Sequence, residues 1–261
     1  MIHMIGLPHT QFNDKTFSFC AFTAKAARLA RMLRATGREV TVYWGGDEGD
    51  VSLMSRGRQD AYFGAYTGDS LPTIGWDHRS NYWVEFNLAA IKEIRARIQP
   101  GDIVATIGGP ISQVVIDEFR PTHTCVEPGV GYEGLTAGAF ACFESYAWMH
   151  NRYGAYYIGD GRPFDAVIPN AVVPEEWSVG ESKGYALFVG RLIQRKGPHV
   201  AEQIARAAGL PLLMAGGGVA EKSKGRVLAT DGTLIEGDVE HVGSLVGEER
   251  RELFANAEVL I

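Results

Sequence analysis

The sequence is poor in the features that mark several large classes of protein. It has three cysteines, Cys20, Cys125 and Cys142, widely spaced and without a CxxC pair. An odd, dispersed set of this kind argues against a disulfide framework and against a structural zinc site. No run approaches the roughly 18 apolar residues needed to span a bilayer. The opening residues, MIHMIGLPHTQ, lack the basic stretch and long apolar core of a secretory signal. Basic residues are not in excess, since 25 Lys and Arg against 31 Asp and Glu give a net charge of −6. Binding of nucleic acid by bulk phosphate neutralisation is therefore disfavoured, although one local basic site stays open. Together these absences predict a soluble, cytoplasmic protein with no transmembrane segment.

What the chain does have is apolar material and glycine. An apolar fraction of 46% is enough to offset chain entropy in a folded core. Glycine makes up 32 of 261 residues, against a usual share of about 7%. It falls in short clusters without a collagen period, which suits turns and ligand loops. The length predicts one large domain or two modest ones.

Strands alternate with amphipathic helices along the chain. A strand over 2–7 runs into Gly6-Leu7-Pro8, and a helix over 23–36 carries Ala26, Leu29, Ala30 and Leu33 on one face. Gly37 stops it, and a β-branched strand over 39–44 follows. Residues 46–79 are polar and aperiodic, too long for a structureless connector, and so either functional or partly helical. The spacing then predicts a helix over 80–98, a strand over 102–107 ending in Gly108-Gly109, and a helix over 111–119. A strand over 123–126 and a helix over 139–153 complete a first domain, 1–173. A Pro/Glu/Ser/Gly segment, 174–184, reads as a linker. The alternation restarts with a strand over 185–189, a helix over 198–208 and a strand over 211–215 ending in Gly216-Gly217-Gly218. A short strand or turn over 241–243, a helix over 248–256 and a strand from 258 follow. This order predicts an α/β protein with parallel sheets, arranged as two Rossmann-like domains facing across a cleft, the second (185–261) incomplete.

The strongest chemical signal is Phe188-Val-Gly-Arg-Leu-Ile-Gln-Arg-Lys-Gly197. A strand delivers Arg191 past Gly190, and Lys196 precedes the next helix. Two cations and the N–H groups of a helix start suit a phosphate or diphosphate, whose growing charge as a leaving group they would stabilise. A solvated basic turn is the alternative, with Arg195 as a third outward charge.

The segment GRLIQRKG, preceded by Val167-Ile-Pro-Asn-Ala171 and followed by Leu213-Met-Ala-Gly-Gly-Gly218, resembles the retaining glycosyltransferases of family four, which have the GT-B fold. His241-Val-Gly-Ser-Leu245 and Glu249-Arg-Arg-Glu-Leu-Phe-Ala-Asn-Ala257 continue the likeness in order. The resemblance implies that Arg191 and Lys196 hold the diphosphate of a nucleoside-diphosphate sugar of UDP or GDP type. It places Gly190, Gly216, Gly217, Gly218, Val242 and Gly243 beside the nucleotide. It also implies catalysis without a bound metal or other cofactor, protein cations taking the metal's part. The family's paired glutamates (E-x7-E) and its returning terminal helix would lie past Ile261, so the chain reads as truncated.

In the first domain, the resemblance puts an acceptor-side loop after the first strand, and His9 and Thr10 would face the acceptor from it. An exposed loop histidine is the alternative. Glu127, at the position of a family histidine, either takes a catalytic part, orienting an acceptor hydroxyl or supporting developing oxocarbenium character, or caps the following helix. Gly129 and Tyr132 belong to the same turn. Gly108 and Gly109 let backbone approach a ligand, or simply make a tight turn. No histidine forms a metal-ligand spacing with carboxylates. Neither acceptor nor oligomeric state is legible in these residues; DNA, protein, lipid and small molecules all fit. A sugar-nucleotide epimerase or phosphorylase of the same fold, or a non-catalytic binding module, are the competing readings.

Overall fold

Short apolar runs broken by glycine, alternating with amphipathic helices, build two parallel sheets in the computed structural model, which describes residues 1–12, 20–64 and 75–261. The chain divides into two compact units, Met1–Ala171 and Val172–Ile261.

The first unit runs β1 (Ile2–Ile5), α1 (Ala21–Ala35), β2 (Val40–Gly45), β3 (Val51–Met54), α2 (Arg56–Phe63), α3 (Asn81–Arg95) and β4 (Ile103–Thr106). It continues with a 3-10 turn (Gly109–Ser112), α4 (Gln113–Phe119), β5 (Thr124–Val130), β6 (Phe140–Phe143), α5 (Tyr146–Ala155) and β7 (Ala166–Val167). Its seven strands are all parallel, in the order β3-β2-β1-β4-β5-β6-β7. Chain order reverses between β1 and β4, the point at which doubly wound sheets open a crevice beyond their strand ends. Met4, Ile5, Val42, Tyr43, Trp44, Trp83, Phe86, Val104 and Ile116 fill the core.

The second unit contains β8 (Ala186–Val189), a 3-10 turn (Gln194–Lys196), α6 (Pro198–Ala207), β9 (Leu212–Ala215), β10 (Val219–Ser223), β11 (Arg226–Ala229) and β12 (Leu234–Glu236). Then come β13 (Val239–Gly243), α7 (Gly247–Ala255) and β14 (Val259–Leu260). Four parallel strands lie in the order β13-β9-β8-β14, and β10-β11-β12 form a separate antiparallel meander. The crossover from β9 to β13 thus runs through a meander. Its Val227, Ala229 and Ile235 pack in one core with Ala201 and Ala205 of α6.

Some local expectations need correction and others gain detail. The window 139–153 is not one helix: Phe140–Phe143 is a strand, and Ser145 then caps α5 by accepting from the Trp148 N–H at 3.2 Å. Residues 46–79 are partly helical, as one of the two readings has it: they hold β3 and α2, while 65–74 lie outside the described residues. Residues 219–236, read without elements, are the meander. The segment 174–184, read as a linker, packs on the second unit. Trp177 lies edge-on to Phe254 with centroids 4.9 Å apart, and the N–H groups of Gly180 and Lys183 donate to Ala255 and Asn256. Among the described residues, no helix is long and apolar enough to cross a membrane.

Candidate functional site

In the first unit the strand ends at the switch point carry Gly6–Gln11 after β1, Gly108-Gly109 after β4 and Glu127 within β5. Val126 pairs with Ala105, so Glu127 lies one step beyond, at the carboxyl edge of the sheet. Its carboxylate is 0% exposed. One oxygen accepts from the Tyr132 hydroxyl at 2.8 Å and the other from the Thr136 N–H at 2.9 Å. Burial pushes this carboxyl above the usual carboxylate range, and the two hydrogen bonds oppose that shift. Burial is the largest cause that raises the Tyr132 phenol, followed by the neighbouring Glu127 charge. Gly109 has φ +81°, and a Cβ there would stand 3.2 Å from the Tyr132 ring. That close approach is what the second glycine of the pair provides.

The loop after β1 is braced from several sides. Thr10 is buried, its hydroxyl 2.8 Å from that of Thr23 and accepting from the Trp44 indole at 2.9 Å. Gln59 of α2 donates to the Pro8 and Thr10 carbonyls. His9 does not stand in an exposed loop. It is 6% exposed, lies edge-on to Phe63 and Trp76, and has an Nδ1 without a hydrogen-bond partner. Burial lowers its pKa to about 4, so the ring is neutral at physiological pH. Gly129 gives clearance to Lys25, whose ammonium donates to the Gly129 carbonyl and pairs with Glu144.

Beyond Gly108 and Tyr132 opens a crevice of about 500 Å³ whose walls include Phe22, Trp76, Pro110 and Ile111. A second, almost wholly apolar groove of about 320 Å³ lies between α1 and the sheet face and runs from Ile2 and Ile103 to Ile107 and Gly129.

In the second unit, backbone hydrogen bonds gather the glycine loops. Gly190 N–H donates to Ala215, Leu192 N–H to Gly217, Gly216 N–H to Gly243 and Thr230 N–H to Gly218, all at 2.8–2.9 Å. Gly216 has φ +138°, and a Cβ there would overlap the Gly190 carbonyl. Val242 is the extra residue where the pairing of β13 with β9 shifts between His241 and Gly243. His241 Nε2 donates to the Gly216 carbonyl at 2.7 Å, which fixes its tautomer. Gly190, Gly216, Gly217, Gly218 and Gly243 are therefore together. Arg191, Arg195 and Lys196 are exposed on the strap joining β8 to α6, and no ion pair among the described residues engages them. Lys196 and Arg195 border a hollow of about 290 Å³ floored by Phe188, Val200 and Ile204; Arg191 is not part of its lining.

Two residues of weight were not anticipated. Asp231, in the β11–β12 turn, accepts from the Gln194 N–H at 2.7 Å and from Thr233 at 3.0 Å, and so braces the turn carrying Arg195 and Lys196. These donors hold its carboxyl below the usual range. Asp231-Gly232 between two alternating runs is a hairpin signal that could have revealed it. The other is Trp76, which stands in a stretch without periodicity. Among the described residues, no group of three His, Cys, Asp or Glu is placed to hold a metal ion.

Two Rossmann-like parallel sheets with glycine loops at their strand ends define an α/β protein of the GT-B kind. No protein-family model matches the sequence, and no curated protein does. Solved structures with this fold include AviGT4, a glycosyltransferase involved in avilamycin A biosynthesis, with a TM-score of 0.58 and 17% identity over 99% of this chain and 68% of that one. Another is the α,α-trehalose 6-phosphate synthase of Burkholderia multivorans, with a TM-score of 0.54 and 12% identity over 100% of this chain and 77% of that one. At such identities the likeness is one of fold.

Proposed function

We propose that this protein is a glycosyltransferase that moves a sugar from a nucleoside-diphosphate sugar to an acceptor hydroxyl with retention. One observation carries the reading. Arg195 and Lys196 sit immediately before the N-terminus of α6, which has no acidic residue in its first turn. Cations at that end oppose the helix dipole; the carboxylate at this turn, Asp231, is taken up by the Gln194 N–H and by Thr233 and makes no ion pair with Arg195 or Lys196 among the described residues. The neighbouring α7 has the ordinary arrangement, with Glu248 and Glu249 in its first turn. The strap thus presents exposed cations, Arg191, Arg195 and Lys196, at the end of the helix whose dipole is positive, and a diphosphate answers both.

In this reading the second unit holds the donor. Its anomeric carbon loses the bond to the diphosphate oxygen as the acceptor oxygen bonds on the same face. The acceptor proton passes to the departing phosphate oxygen. Arg191 and Lys196 stabilise the charge growing on that group, with no metal or cofactor in the role. The first unit holds the acceptor. Glu127, with both oxygens engaged, acts there as a positioning residue: it fixes Tyr132 and, through it, the Gly108-Gly109 loop. The GT-B fold, shared with a known glycosyltransferase, and the sequence resemblance to family four support the reading. Its test is incubation with UDP- and GDP-sugars and a panel of acceptors, with the product anomer read by NMR. Product with the donor's anomeric configuration is expected. Free nucleoside diphosphate released without an acceptor would favour an epimerase instead, and binding without turnover a non-catalytic module.

A further inference from the structure

The Tyr132 hydroxyl is turned to Glu127, to which it donates at 2.8 Å. What Tyr132 offers the 500 Å³ crevice is therefore its ring. Phe22 stands 5.3 Å from that ring at a tilt of 49°, and Trp76 stands 5.5 Å from Phe22 at 45°. The three rings make a curved aromatic wall. Trp76 is 48% exposed, and Pro110 and Ile111 line the same crevice. Two exposed polar side chains, His78 and Glu133, also border it. Single exposed aromatics are ordinary on a surface. A concave set of them at the switch point of a parallel sheet, flanked by a few polar groups, is how small-molecule sites are built.

We propose that this crevice binds a hydroxylated ring with an apolar face, stacked on Trp76 and Tyr132 and with its hydroxyls turned to His78 and Glu133. A sugar ring and a phenol supply the same chemistry. That the bound molecule is the acceptor rests on the glycosyltransferase reading; that it binds does not.

Saturation-transfer NMR on the full chain tests this, with methyl α-D-glucopyranoside and 4-methylphenol as ring probes and UDP in a parallel sample. Saturation is expected on the ring C–H protons of at least one ring probe. It should fall roughly fivefold or more in Trp76→Ala, return in Trp76→Phe and persist in Lys196→Ala. A signal from the glucoside alone names a saccharide as the ligand, and one from the phenol alone names a phenol. Silence from both, or a signal undiminished in Trp76→Ala, overturns the inference. If UDP responds and loses its signal in Lys196→Ala while both ring probes stay silent, this inference falls and the donor reading stands. The opposite pattern leaves the ring site standing and removes the donor reading.

Discussion

The two units treat the polar groups at their strand ends in opposite ways. In the first, the groups that brace the loops are engaged within the fold, Glu127 by Tyr132 and Thr136, Thr10 by Thr23 and Trp44, and the backbone of the β1 loop by Gln59, while His9 Nδ1, Thr106 Oγ1 and Ser112 Oγ are buried without a hydrogen-bond partner among the described residues. In the second, hydrogen bonding is confined to backbone and bracing groups, and the cations Arg191, Arg195 and Lys196 are left outside any ion pair among the described residues. A buried polar group is costly unless satisfied, so the first unit turns aromatic faces towards solvent at its crevice. Exposed cations carry no such penalty and can wait for a ligand anion. On the readings proposed above, one unit stacks a ring and the other neutralises charge.

The sharpest way to break the second unit is Gly216→Ala. The added Cβ meets the Gly190 carbonyl at a φ of +138°. Overpacking and left-handed strain together should cost about 4 kcal/mol in a urea titration. Gly217→Ala makes the matched control, because a Cβ there reaches only Ser244 Oγ at 4.0 Å. If both variants unfold alike, the close packing of the glycine loops has been misread.

Acid should separate the units next. The pKa of His9 is lowered from 6.5 to about 4 in the folded state, so the unfolded chain binds the extra proton between these values. Stability from this group is fully present above pH 6.5 and is lost as pH falls towards 4, by about 3 kcal/mol at most. Chemical denaturation across that range should show the slope, and His9→Leu should flatten it. A slope unchanged in the variant would assign the acid sensitivity elsewhere.

Tyr132→Phe sharpens the contrast within the first unit. It leaves the ring and removes the hydroxyl, so the buried Glu127 carboxylate loses a hydrogen-bond donor. A loss of about 2 kcal/mol is expected, with ring-probe binding retained; loss of that binding at unchanged stability would show the hydroxyl, not the ring, facing the ligand. The smallest effect belongs to Asp231→Ala. It frees the Gln194 N–H and loosens the turn beneath Lys196. Nucleoside diphosphate affinity should drop a few-fold with the melting temperature nearly unchanged, and Asp231→Asn should recover part of it. Unaltered affinity in both would reduce Asp231 to a turn residue.

Much of this contrast was legible before any coordinates. Helices α1, α3 and α6 have clear apolar faces, and glycine marks the ends of β2, β4, β8 and β9. The GRLIQRKG strap announces its charge in the sequence itself. Other elements gave too little signal. Phe140–Phe143 is four residues long with half its side chains buried, and so short a run has no period to tell strand from helix. The meander carries its signal in turns, Lys224-Gly225 and Asp231-Gly232, rather than in apolar runs. The first unit's site was harder still. Whether Glu127 meets a ligand or a neighbouring tyrosine depends on a hydrogen bond across five residues of irregular chain. The burial of His9 depends on Phe63 and Trp76, which flank the segment 65–74. Pairings of that kind follow from tertiary packing, which residue types and spacing do not encode locally.

The central claim is that the second unit's unpaired cations form a diphosphate site. Thermal unfolding of the full chain with UDP and GDP, beside Lys196→Ala, tests it most directly. A ligand at about 100 times its dissociation constant should add roughly 2.7 kcal/mol. The account predicts such a gain with one of the two nucleotides and its disappearance in Lys196→Ala, whose own stability without ligand matches the parent. An equal gain in parent and variant, or none with either nucleotide, would contradict it.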